Sequence, residues 1–295
     1  MLLNKRTLAL IQVHLAVFLF GFSALFGKIL SLTPITIVFY RVVIATLTLG
    51  TIIFLLKQKL KLISKRDYFF MFILGSIFSI HWITFFKSVQ VSTVAIGVLT
   101  FSTYPIFVTF LEPYFFKEKI RQKDIISAAL AFSGIVLVIP SFELSNNITQ
   151  GAFWGVISGL TGAFLTIFNK MLVKKYSGIQ LAFYQCLFAS ILLFPFVFSS
   201  SPALKSNDFF LLILLGVIFT ALSHVLYINS VLHIKAQLAS IITCLEPVYG
   251  IVFAIILLKE TLGIRTIVGG AIILGSIIFA TLKSRNKTKI SNILN

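Results

Sequence analysis

The chain has 295 residues, 58% of them hydrophobic and 11% charged, with a mean hydropathy of +1.05. A soluble domain carries about 25% charged residues, so this composition excludes a water-soluble fold, and the continuous rather than alternating apolar runs argue against a β-barrel. The formal net charge is +17, but the basic residues gather between apolar stretches, which reads as membrane topology and not as a nucleic-acid surface.

Apolar stretches reach the roughly 20 residues that cross hydrocarbon. In chain order they lie at 8–30, 33–56, 68–87, 91–112 and 124–140, then at 151–173, 178–199, 209–231, 235–258 and 262–282. The first follows a short basic flank, Lys5-Arg6, as in a signal peptide. It is too long for one and lacks a small-residue cleavage site, so it reads as an uncleaved helix. Between the fifth and sixth stretches, Ser141 to Gln150 carries Asn146-Asn147 and no Lys or Arg. This is the expected linker. Cys186 and Cys244 fall inside stretches without metal-ligand spacing, and read as buried apolar residues.

The second half of the chain repeats the first. Phe26-Gly27-Lys28-Ile29-Leu30 returns as Phe168-Asn169-Lys170-Met171-Leu172, and Phe39-Tyr40-Arg41 as Phe183-Tyr184-Gln185. Pro105 followed by Phe116-Lys117-Glu118 returns as Pro247 followed by Leu258-Lys259-Glu260. Five stretches per copy is an odd number, so the second copy enters the membrane from the opposite side. The expected fold is an all-α integral membrane protein of ten transmembrane helices in two inverted five-helix repeats. Its units are 1–140, the linker 141–150, 151–282 and a basic tail at 283–295. With the N-terminus inside, nineteen of the 25 Lys and Arg face the cytoplasm, whereas Lys28, Lys87, Lys205, Lys259 and Arg265 face outward. Both termini are therefore expected in the cytoplasm.

The basic loops would also attract anionic lipid. No Gly-x4-Gly-Lys-Ser/Thr phosphate loop occurs, so energy would come from a gradient or from exchange rather than from ATP. No cofactor is implied.

The arrangement resembles the EamA family of the drug/metabolite transporter superfamily. The likeness rests on the ten stretches in two copies and on the proline in the fourth and ninth, with a Glu thirteen positions later. It also rests on Leu245-Glu246-Pro247-Val248-Tyr249-Gly250, Leu258-Lys259-Glu260-Thr261-Leu262 and Gly269-Gly270-Ala271-Ile272-Ile273-Leu274-Gly275. Pro34 with Arg41 is similar to the family's second-helix pattern. The resemblance implies a transporter. It leaves the cargo open among amino acids, drugs, nucleotide derivatives and vitamins.

Several polar side chains fall inside the stretches. Glu246 sits mid-stretch, where a charged carboxylate costs roughly 2.5–3.5 kcal/mol on insertion scales. Pro247 follows it and removes a backbone hydrogen bond. Together they suit a proton- or cation-binding position, against a structural reading in which Glu246 bonds neighbouring helices. Arg41 would bind a carboxylate or phosphate bidentately, or hold backbone carbonyls. His81 beside Trp82, and His224 near Tyr227, occupy matching helices of the two copies, while His14 reads as an interior, hydrogen-bonded residue. Tyr104 is the repeat equivalent of Glu246. Gln12, Asn169, Tyr184 and Gln185 complete the interior polar set. Arg41, His81, Tyr104, His224 and Glu246 are expected around a central space, with the fifth and tenth stretches peripheral because of their small residues, Ser127-Ala128-Ala129 and Gly269-Gly270-Ala271 among them. Glu112 would pair with Lys117, and Glu118 and Glu260 would cap the helices that follow them.

The leading expectation is a secondary transporter that exports a small organic metabolite by alternating access across the cytoplasmic membrane. It would be proton-coupled or an exchanger. An ammonium at Glu246 and a carboxylate at Arg41 would suit an amino acid or similar zwitterion. Nucleotide-derived, vitamin or drug-like cargo is the alternative. An intramembrane enzyme would need a Ser/His set, paired aspartates or zinc ligands within the stretches, and neither these nor a Gly-x-Ser-x-Gly elbow is present.

Overall fold

Helices account for the apolar stretches, and no strand occurs among the described residues. The structure is a computed structural model and describes residues 4–116, 122–139, 143, 145–200, 204–234, 236–243 and 245–282. Cys244, the cap expected from Glu118 and the basic tail at 283–295 lie outside the described residues, as does Lys117. The first half holds α1 (Lys5–Ser23), α2 (Phe26–Ile29), α3 (Pro34–Leu55), α4 (Lys65–Val91), α5 (Val94–Phe101), α6 (Tyr104–Phe116) and α7 (Gln122–Val138). The second holds α8 (Asn147–Leu172), α9 (Gly178–Ser200), α10 (Ser206–Gly216), a π-helical turn at Val217–Leu222, α11 (Ser223–His233), α12 (Ala236–Thr243), α13 (Glu246–Leu258) and α14 (Ile264–Leu282).

By length and composition, seven helical segments among the described residues are long and apolar enough to cross a membrane. The fifth, ninth and tenth stretches appear instead as shorter apolar helices, Ile125–Val138, Glu246–Leu258 and Ile264–Ser276. The ninth is short because it is divided between α12 and α13.

Local chemistry sets the helix starts. Thr33, Ser64 and Thr93 accept backbone N–H bonds ahead of α3, α4 and α5, and Asn146 accepts from Ile148 and Thr149 ahead of α8. Such caps satisfy donors that lipid cannot. Pro34 occupies the first turn of α3, where its missing N–H costs nothing.

Packing partners recur when the halves are exchanged. α4 lies on α8, as α11 lies on α1; α5 and α6 lie on α8, as α13 and α12 lie on α1. The helices from the fifth and tenth stretches, α7 and α14, pack mainly on each other. Their closest approach is at Gly134 and Gly269, where a Cβ on either would meet the other's carbonyl oxygen at 2.8 and 2.7 Å.

Polar cross-links tie the halves together at both ends. At one end Lys175 and Tyr176 both bind the Asp67 carboxylate, the Lys175 ammonium at 2.6 Å. The hydrogen bond to Asp67 holds the Lys175 pKa above its usual value. Tyr176 also accepts the Ile63 amide at 3.0 Å. Glu112 pairs with Lys170 at 2.7 Å, because α6 lies along α8. At the other end Glu260 makes the link, while Lys28 stays within the first half and donates to the carbonyls of Ser92 and Gln90, at 2.7 and 3.2 Å. Glu260 does not cap the helix after it. Its carboxylate accepts from the amides of Val94 and Ala95, at 3.0 and 3.5 Å, and so caps α5 in the opposite half.

Candidate functional site

Two helix breaks, one per half, build the centre of the molecule. Ser102 and Thr103 separate α5 from α6, and α12 ends at Thr243 with Leu245 in a turn just before α13. Each break precedes a proline, Pro105 or Pro247, which cannot donate to the preceding turn. The first break is satisfied locally. Ser102 Oγ donates to the Val98 carbonyl at 2.6 Å and Thr103 Oγ1 to the Thr100 carbonyl at 2.8 Å. Tyr104 opens α6 and Glu246 opens α13, so the repeat-equivalent pair sits at equivalent corners.

These corners line one cavity between the halves. Its unfilled space, mouth included, is about 590 Å³. The polar wall consists of His81, Trp82, Tyr104, Thr166, Asn169, Gln185, His224, Tyr227, Thr243 and Glu246. The apolar wall is mainly Phe20, Phe78, Phe85, Phe101 and Leu165, with Gly162. His81, Trp82, Tyr104, Asn169, Gln185, His224 and Glu246, each singled out in the sequence, therefore share one space. Glu246 is 2% exposed, and its carboxylate has no hydrogen-bond or ion-pair partner among the described residues. Phe20, Tyr227 and Thr243 were not foreseen as a set. Tyr227 lines the same space as Thr166, Tyr104 and Thr243, so side chains from both halves meet around Glu246.

The histidine rings are held in one tautomer. His81 Nδ1 lies 2.9 Å from the Ser158 carbonyl and His224 Nδ1 lies 2.8 Å from the Thr220 carbonyl. A carbonyl only accepts, so Nδ1 carries the proton in each ring, and Nε2 of each neutral ring is an acceptor. Phe78, Phe20 and Trp82 surround His224 with centroids at 4.9, 5.0 and 5.8 Å. Gln185 Nε2 donates to Asn169 Oδ1 at 2.6 Å, a bond between α9 and α8.

Arg41 is the exception to the expected arrangement. It is fully buried but does not line the cavity. Its guanidinium stacks 3.8 Å from the Trp82 ring centroid and 5.5 Å from that of Phe86. Nε donates to Thr220 Oγ1 at 2.9 Å, and Nη2 reaches the Phe219 carbonyl at 3.5 Å. The π-helical turn makes this possible: Thr220 Oγ1 donates back to the Leu215 carbonyl five residues earlier, at 2.7 Å. A wide turn of this kind frequently marks a functional position. Arg41 thus braces Trp82 from behind, across the seam between α3 and the π turn. Arg41 Nη1 and Trp82 Nε1 are buried without an acceptor among the described residues.

Other expectations fall elsewhere. His14 is exposed, because the buried face of α1 runs through Ala9, Val13, Ala16, Val17 and Phe20 at helical spacing and His14 lies off it. Tyr184 is buried away from the cavity and donates to the Leu60 carbonyl at 2.8 Å. Cys186 is buried. Among the described residues no group of three or more His, Cys, Asp or Glu side chains gathers as a metal site would require.

A cysteine scan checks the cavity. With Cys186 and Cys244 replaced by Ala, His81→Cys, Tyr104→Cys and His224→Cys are expected to react with a small polar thiol reagent. Ile267→Cys and Ile278→Cys on the outer face of α14 are expected to stay inert, since lipid excludes the reagent. The reverse pattern would remove the cavity.

Comparison with known proteins agrees with the architecture. The sequence model of the EamA-like transporter family matches residues 7–139 and again 149–282. The uncharacterized transporter YxxF of Bacillus subtilis is 28% identical over 279 residues, covering 90% of this chain and 89% of its own. An uncharacterized transporter of Archaeoglobus fulgidus is 29% identical over 259 residues, covering 86% and 91%. A crystal structure of another protein superposes with a TM-score of 0.70 over 96% of this chain and 98% of its own, at 12% identity, and shares the fold. Two family matches that together span nearly the whole apolar chain leave one assignment: the chain is a multi-pass membrane protein and belongs to the EamA-like transporter family.

Proposed function

We propose that the protein is a secondary transporter that moves a small organic solute by alternating access around the Glu246 cavity. Ten membrane crossings in two inverted five-helix repeats, 1–140 and 151–282, supply the two halves, with both termini in the cytoplasm of a cell bounded by this membrane. The observation that carries the reading is the buried Glu246 carboxylate, without a partner among the described residues, at a helix break on a wall shared by both halves. A lone buried carboxylate is costly when charged. It is relieved by a proton or by a cationic solute, and the two compete for one site. That competition is the basis of gradient coupling or exchange. His81, Trp82, Tyr104, Asn169, Gln185 and His224 shape the solute site, and Arg41 positions Trp82. Export is the favoured direction, with an amino acid or similar zwitterion the cargo read from the sequence. Its ammonium would meet Glu246, and its carboxylate would have to reach Arg41 past Trp82.

Under this reading the end joined by Asp67, Lys175 and Tyr176 faces the cytoplasm and the end that holds Lys28 and Glu260 faces out. Solute flux into sealed vesicles containing only the purified protein tests the function: flux driven by a pH gradient or by trans solute is expected, and its absence across a panel of amines, amino acids and nucleosides would contradict it. A reporter fused after Asn295 tests the topology. Cytoplasmic activity is expected, and periplasmic or extracellular activity would refute the ten-crossing arrangement.

A further inference from the structure

We infer that this cavity takes a primary ammonium cation carrying an apolar or aromatic body and no carboxylate. The inference rests on the transporter reading above and replaces the zwitterion read from the sequence as its cargo.

Hydrogen-bond accounting gives the first reason. His81 and His224 commit their Nδ1 protons to the Ser158 and Thr220 carbonyls, so both rings offer the cavity an acceptor nitrogen. Gln185 commits its amide nitrogen to Asn169, which leaves the Gln185 oxygen. Glu246 adds two carboxylate oxygens without a partner among the described residues. These acceptors outnumber the wall's uncommitted nitrogen donors, Trp82 Nε1 and the Asn169 amide, and a primary ammonium brings three donors.

The second reason is the surface around those acceptors. Phe20, Phe78 and Trp82 enclose His224, and Phe101 stacks on Tyr104 at 5.4 Å beside Glu246. Ring faces attract a cation and equally bury an apolar body.

The third reason excludes a zwitterion. Among the described residues no Lys or Arg lines the cavity. Arg41 is the nearest candidate, yet its guanidinium is stacked behind Trp82, and its one unpartnered nitrogen is buried away from the wall. A carboxylate brought in with the ammonium would be desolvated without a cation to meet it.

The test compares three probes that differ only in their charged ends: 2-phenylethylamine, phenylalanine and 3-phenylpropionate. Binding to the full-length purified protein is measured by calorimetry near neutral pH, where each probe carries its full charge. The amine is expected to bind more tightly than phenylalanine by about tenfold or more, and phenylpropionate not to bind. Glu246→Gln, checked for an unchanged melting temperature, is expected to weaken amine binding by about tenfold or more. Phenylalanine binding as tightly as the amine, no amine binding, or amine binding indifferent to Glu246→Gln would each overturn the inference. Vesicle flux separates this from the broader reading. Phenylalanine moved while the amine is not overturns the cargo class and leaves the transporter. Amine bound at Glu246 with no solute moved overturns the transporter and leaves the binding site.

Discussion

Glu246→Gln is expected to abolish flux driven by a pH gradient while leaving the protein folded and inserted. The substitution keeps the side chain's shape and removes only its ability to ionise. Nothing among the described residues bonds the carboxylate, so no structural partner is lost. Loss of gradient-driven flux of about a hundredfold or more is the scale for a group that carries the coupled proton. Exchange of solute across the membrane should fall less if Glu246 serves the proton alone, and fall equally if the solute's cation takes its place. Glu246→Ala should behave differently. It opens a void beside Pro247 at the start of α13 and should lower stability by about 1–3 kcal/mol. Paired flux and melting measurements on the two variants separate coupling from packing. Wild-type flux and pH dependence in Glu246→Gln would make the residue structural and move the coupling site to His81 or His224.

The second large effect is expected at Gly21, well away from any charge. This glycine lets α1 approach the corner where α13 begins. A Cβ there would sit 2.8 Å from the Glu246 carbonyl oxygen, 2.8 Å from the Tyr249 Cβ and 3.1 Å from the Gly250 nitrogen. Two of the three are backbone atoms that cannot swing aside. Gly250 faces it with a reciprocal approach, its own added Cβ lying 3.3 Å from the Gly21 carbonyl. Gly21→Val must therefore displace the Glu246 corner. Overpacking of this kind costs about 1–3 kcal/mol, and a shift of even part of an ångström at a functional carboxylate lowers its effectiveness by about tenfold or more. Reduced melting temperature together with reduced flux is the expected result. A Gly21→Val protein with wild-type melting and flux would show that the approach of α1 does not position Glu246.

Much of this organisation was legible in the sequence because membranes enforce it. Continuous apolar runs, the paired prolines and the repeated segments reveal the helices, the two breaks and the equivalence of Tyr104 with Glu246. Polar residues inside apolar runs tend to turn inward, which groups His81, Trp82, Asn169, Gln185 and His224 from the sequence alone. The failures have equally physical causes. His14 lies inside an apolar stretch, yet helical phase puts it on the outer face of α1. Arg41 reads as a cavity residue because intramembrane polar groups avoid lipid. Instead the indole face of Trp82 and the Thr220 hydroxyl receive it, and Thr220 is presented by a π-helical turn whose sequence, Val217 to Leu222, carries no proline or other breaker. Glu260 reads as a local cap, but its acceptors serve α5 of the opposite half, a long-range contact that no local pattern encodes.

Proton release on solute binding tests the central claim most directly. Purified protein in weakly buffered solution is titrated with 2-phenylethylamine while the pH is followed, at a pH where Glu246 holds its proton in the empty site. If ammonium and proton compete for this one carboxylate, wild type should release about one proton per bound amine, and Glu246→Gln should release none. Amine binding to wild type without proton release, or the same release from Glu246→Gln, would contradict the account.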